Sequence, residues 1–321
     1  MPYDPFLYRS AEGYAVLERW YDEALRAFRV PITTRFVPTR FGETHVICAG
    51  AESAPPLVLI HGYGAGSPLW RQQIEGLAAY YRLYAPDCVG QPGKSATQPP
   101  SLLDDGWSHW LQDVLDGLGV QRAAVAGACL GGWIVMRFAA FAPERISHAI
   151  LLSPVGIAPF RVYWRSGVPL VLNLRNDPTS AGQRLMRMVF VPPRSGLKFN
   201  REVFYALSLV VKHYNAGALA GMSAKPNLRE TLRGARALLK FVRGEPKHVL
   251  RSVRVPTLLL VGQHEGIFDT RRAVRRAKRH MPHLHAEILP NVGHAAIYDA
   301  ADQVNLRIHQ FLQNELSLLS S

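Results

Sequence analysis

The chain has 321 residues, 48% of them hydrophobic and 19% charged, with a formal net charge of +13. That length can bury one substantial core, the balance is ordinary for a globular protein, and no apolar run is long enough to span a bilayer. Cys48, Cys88 and Cys129 are too few and too widely spaced for a disulfide framework or a zinc pattern, so no metal or cofactor is expected.

The first residues, MPYDPFLYRSAEGYAVLERW, lack a basic segment followed by an apolar stretch and a small-residue cleavage site, and a cytoplasmic protein is expected. Residues 10 to 29 carry Tyr14, Leu17, Trp20, Tyr21, Leu25 and Phe28 at helical spacing and end before Pro31, which predicts an amphipathic lead-in helix packed on the main domain. TTRFVPT and THVICAG flank a Phe-Gly-Glu turn and predict a hairpin. Then apolar runs of strand length follow: LVLI (57–60), RLYAPD (82–87), AAVAG (123–127), AILLS (149–153), TLLLVG (257–262) and AEILP (286–290). They alternate with helical stretches, as parallel strands buried on both faces do. The alternation breaks over residues 155–250, where a helical pattern interrupted by Pro and Gly predicts an inserted cap. The core is then residues 1–154 and 251–321. Much of the positive charge falls in RRAVRRAKRH (271–280), which reads as the solvated face of a helix with Ala273, Val274 and Ala277 turned inward. Nucleic acid is not an expected partner, since no binding motif accompanies the charge.

The most informative segment is AAVAGACLGGWIVMRFAAF, where a buried strand runs through Gly127-Ala128-Cys129-Leu130-Gly131-Gly132 into a helix. In such a strand-turn-helix, small residues two before and two after the central one relieve crowding, and the central side chain stands exposed at the helix N-terminus. A thiol there is favoured as an anion by the helix dipole, which marks Cys129 as a nucleophile rather than a buried structural cysteine. Attack on a carbonyl also needs two N–H groups for the oxyanion. Leu130 supplies one, and the loop His61-Gly62-Tyr63-Gly64-Ala65-Gly66 supplies the other through Tyr63. Gly62, Gly64 and Trp133 are expected beside the substrate, and His61 is read as structural.

The base should follow a late strand, and Pro290-Asn291-Val292-Gly293-His294 offers His294. Two carboxylates compete to orient it: Glu265, three residues after Gly262, and Asp269, which could equally cap the helix starting near Thr270.

On these residues the chain resembles the α/β-hydrolase superfamily, especially its esterase-like and haloperoxidase-like members, from about Phe36 to Leu312. The resemblance rests on His61-Gly62-Tyr63-Gly64, on Pro86-Asp87-Cys88-Val89-Gly90-Gln91-Pro92-Gly93-Lys94-Ser95, on the G-x-C-x-G turn, on Gly293-His294, and on the order nucleophile, acid, histidine. It implies an α/β-hydrolase fold: a mostly parallel central sheet, helices on both faces and an inserted helical cap. It also implies structural roles for Asp87 and Gly90, with Cys88 a small buried side chain. Most relatives carry Ser where this chain has Cys129. Such Cys boxes are similar to those of dienelactone hydrolases, polyhydroxyalkanoate synthases and acyltransferases that shuttle groups between carrier proteins. The expected function is acyl transfer from an ester or thioester through a Cys129 thioester, with water or another nucleophile as acceptor. An acidic carrier protein would be a partner suited to the charge. Two alternatives stand beside it: a non-catalytic ligand-binding homologue, and a hydrolase whose natural Ser has been replaced by Cys. Phe160, Tyr163, Trp164, Met186, Met188, Phe190, Phe204, Tyr205, Tyr214 and Met222 are the cap side chains available to line a pocket or fill the cap's own core.

Overall fold

The computed structural model describes residues 3–161, 178–192, 195–198, 200–223 and 226–318. Helix α1 (Ala11–Arg26) starts at Ser10, whose side chain accepts the Gly13 N–H at 3.0 Å, and places Arg26 where the negative end of the dipole favours a cation. Strands β1 (Ile32–Thr39) and β2 (Gly42–Ala49) form the hairpin, turning through Gly42 at φ +97°. Then come β3 (Pro56–Ile60), α2 (Arg71–Leu77), β4 (Arg82–Pro86), α3 (Gly106–Leu118), β5 (Ala123–Ala128), α4 (Leu130–Phe141) and β6 (Ile146–Leu152). Between β6 and β7 the described residues hold no strand; they hold the helices α5 (Pro178–Phe190), α6 (Arg201–His213), α7 (Leu228–Arg243) and α8 (Lys247–Ser252), with a short 3₁₀ turn at Ala218–Ala220. The chain closes with β7 (Thr257–Gly262), α9 (Thr270–His280), β8 (Leu284–Leu289), α10 (Ala296–Asp299) and α11 (Ala301–Leu318).

The eight strands form one sheet in the order β1-β2-β4-β3-β5-β6-β7-β8, antiparallel across β1, β2 and β4 and parallel from β4 onward. Side chains alternate between its faces. Leu57 and Leu59 of β3 and Leu258 and Leu260 of β7 pack with Trp70, Ile74, Ile308 and Leu312 on one side. Val58, Ile60, Leu259 and Val261 pack with Trp107, Trp110, Trp133 and Phe138 on the other. Each fully buried leucine in these layers contributes about 1.5–3 kcal/mol relative to exposure. No helix among the described residues is long and apolar enough to cross a membrane.

Helix α1 packs on the core of the sheet through Leu25, and Leu17, with Leu7 and Tyr8 just before the helix, buries against Val210, Tyr214 and Ala218. Tyr163 and Trp164 lie outside the described residues.

Candidate active site

The strand order reverses direction at β3, with β4 on one side and β5 on the other, and a crevice opens at the carboxyl ends of strands at such a point. The turn after β5 brings Cys129 there at φ 53°, ψ −111°, a conformation that costs about 1–3 kcal/mol and persists only when its surroundings enforce it. They do so through the backbone: Cys129 N–H donates to Leu152 O at 3.0 Å, and Cys129 O accepts from Trp133 N–H at 3.2 Å and Val155 N–H at 3.1 Å. A side chain at Gly127 would lie 2.3 Å from Gly131, and one at Gly131 would lie 2.0 Å from Ile60 O, so the close approach of α4 to β3 and β5 demands both glycines.

The loop after β3 meets this turn. A Cβ on Gly62 would stand 3.3 Å from the Cys129 Cβ. Gly64 takes φ +67° and donates its N–H to Gln91 Oε1 at 2.9 Å, so it shapes the loop without lining the cavity. His61 is buried; its Nε2 accepts the Cys88 N–H at 2.8 Å, which leaves Nδ1–H to donate to Gly62 O at 2.8 Å. Burial holds this ring's pKa below the ordinary histidine value. Ala65 N–H and Ser67 N–H are committed to Gly62 O and Asp87. Tyr63 N–H has no hydrogen-bond acceptor among the described residues, and neither does Leu130 N–H, the first of α4.

Beneath the loop, buried Asp87 accepts from Tyr21 Oη at 2.8 Å, Ser67 N–H at 2.8 Å, Lys94 N–H at 2.9 Å and the Ser67 hydroxyl. Burial alone would raise its pKa, but the hydrogen bond and charge of His45, with His61 and the Lys94 N–H, bring it down to about 2. Cys88 is fully buried and Gly90 takes φ +72°.

The loops after β7 and β8 are bound together by His264 N–H to Val292 O at 2.9 Å and Asn291 N–H to Gln263 Oε1 at 3.0 Å. This sets the buried Glu265 carboxylate against His294, whose Nδ1 lies 2.9 Å from each carboxylate oxygen. Glu265 Oε1 also accepts the Ile267 N–H at 2.9 Å. Burial favours a neutral His294, but the charges of Glu265 and Cys129 and hydrogen bonds to both outweigh it, holding the imidazole well above the usual histidine range. Asp269 does other work: it caps α9, accepting the Arg272 N–H at 2.7 Å, and meets Arg161 at 3.2 Å.

Cys129, half-buried with a free thiol, and His294 share a cavity of about 70 Å³. Its walls are mostly apolar and include Phe190, Val203 and Leu207 from α5 and α6, with Leu69, Ile297 and Tyr298 from the core. The Phe190 ring stands edge-on to His294, centroids 5.3 Å apart. Trp133 is not part of it. The helical register four residues past Cys129 carries Trp133 into the core, where Nε1 donates to Glu245 Oε1 at 2.6 Å. Of the other cap residues named from sequence, Met186 lies behind the wall with Val203 and Leu207, and Tyr214 donates its hydroxyl to Gly90 O at 2.8 Å. Tyr205 is exposed. Val203, Leu207, Ile297 and Tyr298 had no sequence signal that separated them from ordinary core positions.

A sharp strand-to-helix turn after β5, a carboxylate–imidazole pair on the loops after β7 and β8, and this sheet order define a class. The family model for the alpha/beta hydrolase fold matches residues 55–301, and the chain belongs to that family. Among its relatives, the uncharacterized carboxylesterase nap of Bacillus subtilis (strain 168) is 32% identical over 310 residues, 93% of this chain and 92% of that protein. Carboxylesterase YbfK of the same organism is 28% identical, covering 96% and 97%. The crystal structure of carboxylesterase CesB (YbfK) from Bacillus subtilis superposes with a TM-score of 0.77 at 26% identity, covering 94% of this chain and 99% of that one. That of naproxen esterase (carboxylesterase NP) from Bacillus subtilis gives 0.74 at 28%, covering 94% and 99%.

Proposed function

We propose that this protein is a carboxylesterase that cleaves compact, apolar esters through a thioester on Cys129. The observation that supports this most is the pairing of Glu265 with His294 at 2.9 Å in a cavity that also presents the Cys129 thiol. In this reading His294 takes the thiol proton and the sulfur attacks the ester carbonyl carbon. The oxyanion is held by the N–H groups of Leu130 and Tyr63. When the tetrahedral adduct collapses, the C–O bond breaks and the leaving alkoxide takes the proton from His294. His294 then deprotonates a water, which attacks the thioester carbonyl and releases the acid and the thiolate. Glu265 fixes the imidazole orientation and stabilises the imidazolium. Asp269 has no part in the step.

The helices of residues 155–250 act in this proposal as a cap whose Phe190, Val203 and Leu207 select the substrate. An ester is favoured over a carrier-bound donor because two relatives of this chain are named carboxylesterases and the cavity is small. The test is turnover of p-nitrophenyl acetate and butyrate by the wild type and by Cys129→Ala. Loss of turnover in the variant supports the reading; equal turnover overturns it. A Cys129→Ser enzyme far more active than wild type would instead support a hydrolase whose natural nucleophile is Ser.

A further inference from the structure

At the opposite end of the sheet, where β7 and β8 begin, lies a second pocket of about 500 Å³ lined by Arg251, Arg254, Lys278, Arg279, His280, Met281, Pro282 and His283. Arg254 and His283 stand just before Thr257 and Leu284, the first residues of those strands, whereas Glu265 and His294 follow their far ends. A six-residue strand separates the two sites by roughly 20 Å. The four cations come from two elements. Lys278 and Arg279 sit in the last turn of α9, where the helix dipole by itself favours positive charge. Arg251 likewise sits in the last turn of the six-residue α8, whereas Arg254, just after it, has no such reason to be there, and the mutual repulsion of all four is uncompensated: none has an ion-pair partner among the described residues. Between Lys247 and His283 the acids are Glu265 and Asp269, both already engaged. His280 is 9% exposed with a buried Nδ1 that has no hydrogen-bond partner among the described residues. Burial and then the charges of Arg251, Arg276, Lys247 and Arg279 hold its pKa below the ordinary value. Arg276, by contrast, is committed to the carbonyls of Ile157 and Glu245.

We propose that this pocket is a binding site, separate from the ester site, for a ligand carrying two or more phosphate groups. Three guanidinium forks and an ammonium match phosphate oxygens better than a single carboxylate, since each fork can take two oxygens at once. The ligand removes the repulsion among the cations, so its binding stabilises the folded chain.

The probe is inorganic pyrophosphate, followed by calorimetric titration and thermal unfolding at ionic strength matched with sodium chloride. The expected result is saturable one-to-one binding and a raised Tm. In Arg251→Gln/Arg254→Gln the affinity falls at least about tenfold while the Tm without ligand does not fall, since repulsion is relieved, and ester turnover is unchanged. Arg229→Gln/Arg233→Gln, which removes the same charge from exposed positions of α7, keeps the affinity. Repeating the comparison with ATP and with phosphatidylcholine vesicles containing cardiolipin, whose headgroup carries two phosphates, separates a soluble source from a lipid one, and dependence on Arg251 and Arg254 in either supports the site. No binding beyond that of matched chloride, or an equal loss in both double variants, overturns it.

Discussion

The two oxygens of Glu265 stand equally distant, at 2.9 Å, from Nδ1 of His294. A bond of this kind fixes which ring nitrogen carries the proton and turns Nε2 away from the carboxylate. It also makes the ring's protonation a report on Glu265. In Glu265→Gln the His294 resonance, followed by NMR, should titrate closer to the ordinary value of about 6.5, and kcat/KM should fall by about two to four orders of magnitude. The sign for stability follows from the raised folded-state pKa. The wild type's advantage over the variant is full below about pH 6.5 and is lost as pH rises through the folded value, which urea unfolding across that range will read.

Asp269 separates the two carboxylates that sequence could not. As the cap of α9, it accepts the Arg272 N–H. Asp269→Ala should lower stability by about 1 kcal/mol and leave ester turnover within about twofold, measured by urea unfolding and initial rates. A loss comparable with that of Glu265→Gln would return Asp269 to the chemistry.

Phe190, Val203 and Leu207 close the cavity over Cys129. Leu207→Ala removes part of that wall. The expected outcome is a shift of preference toward longer acyl chains, seen as a kcat/KM ratio of p-nitrophenyl hexanoate to acetate that rises about tenfold.

Asp87 governs acid stability. Its folded pKa of about 2 lies below its unfolded value near 3.8, so its contribution is present above about pH 4 and lost as pH falls toward 2. The difference is on the order of 2 kcal/mol. Asp87→Asn should therefore be less stable than wild type at neutral pH and nearly equal to it near pH 2, as denaturant unfolding at both pH values will show.

The strands and the Cys129 turn were legible in sequence because their signals are local: apolar runs bounded by turns, and glycines where backbone meets backbone. His294 was legible for the same reason, following AEILP with Gly293 before it. The rest depends on contacts between distant segments. Glu265 and Asp269 differ by four positions, and only the pairing of the loops after β7 and β8 decides which meets the imidazole. Trp133 lies near Cys129 in sequence, yet its place on α4 sends it to Glu245. Val203 and Leu207 repeat at i, i+4, as core residues of any helix do, so nothing local marks them as cavity wall.

In the proposed reaction, a nucleophilic Cys129 carries a covalent acyl group during turnover. Intact-protein mass spectrometry after rapid acid quench of a reaction with a slow ester, p-nitrophenyl pivalate, with peptide mapping, tests it directly. The expected result is a mass gain of one pivaloyl group for one hydrogen, located on Cys129, removed by neutral hydroxylamine and absent from Cys129→Ala. Turnover of this ester with no adduct on Cys129, or an adduct elsewhere that persists in Cys129→Ala, would contradict it.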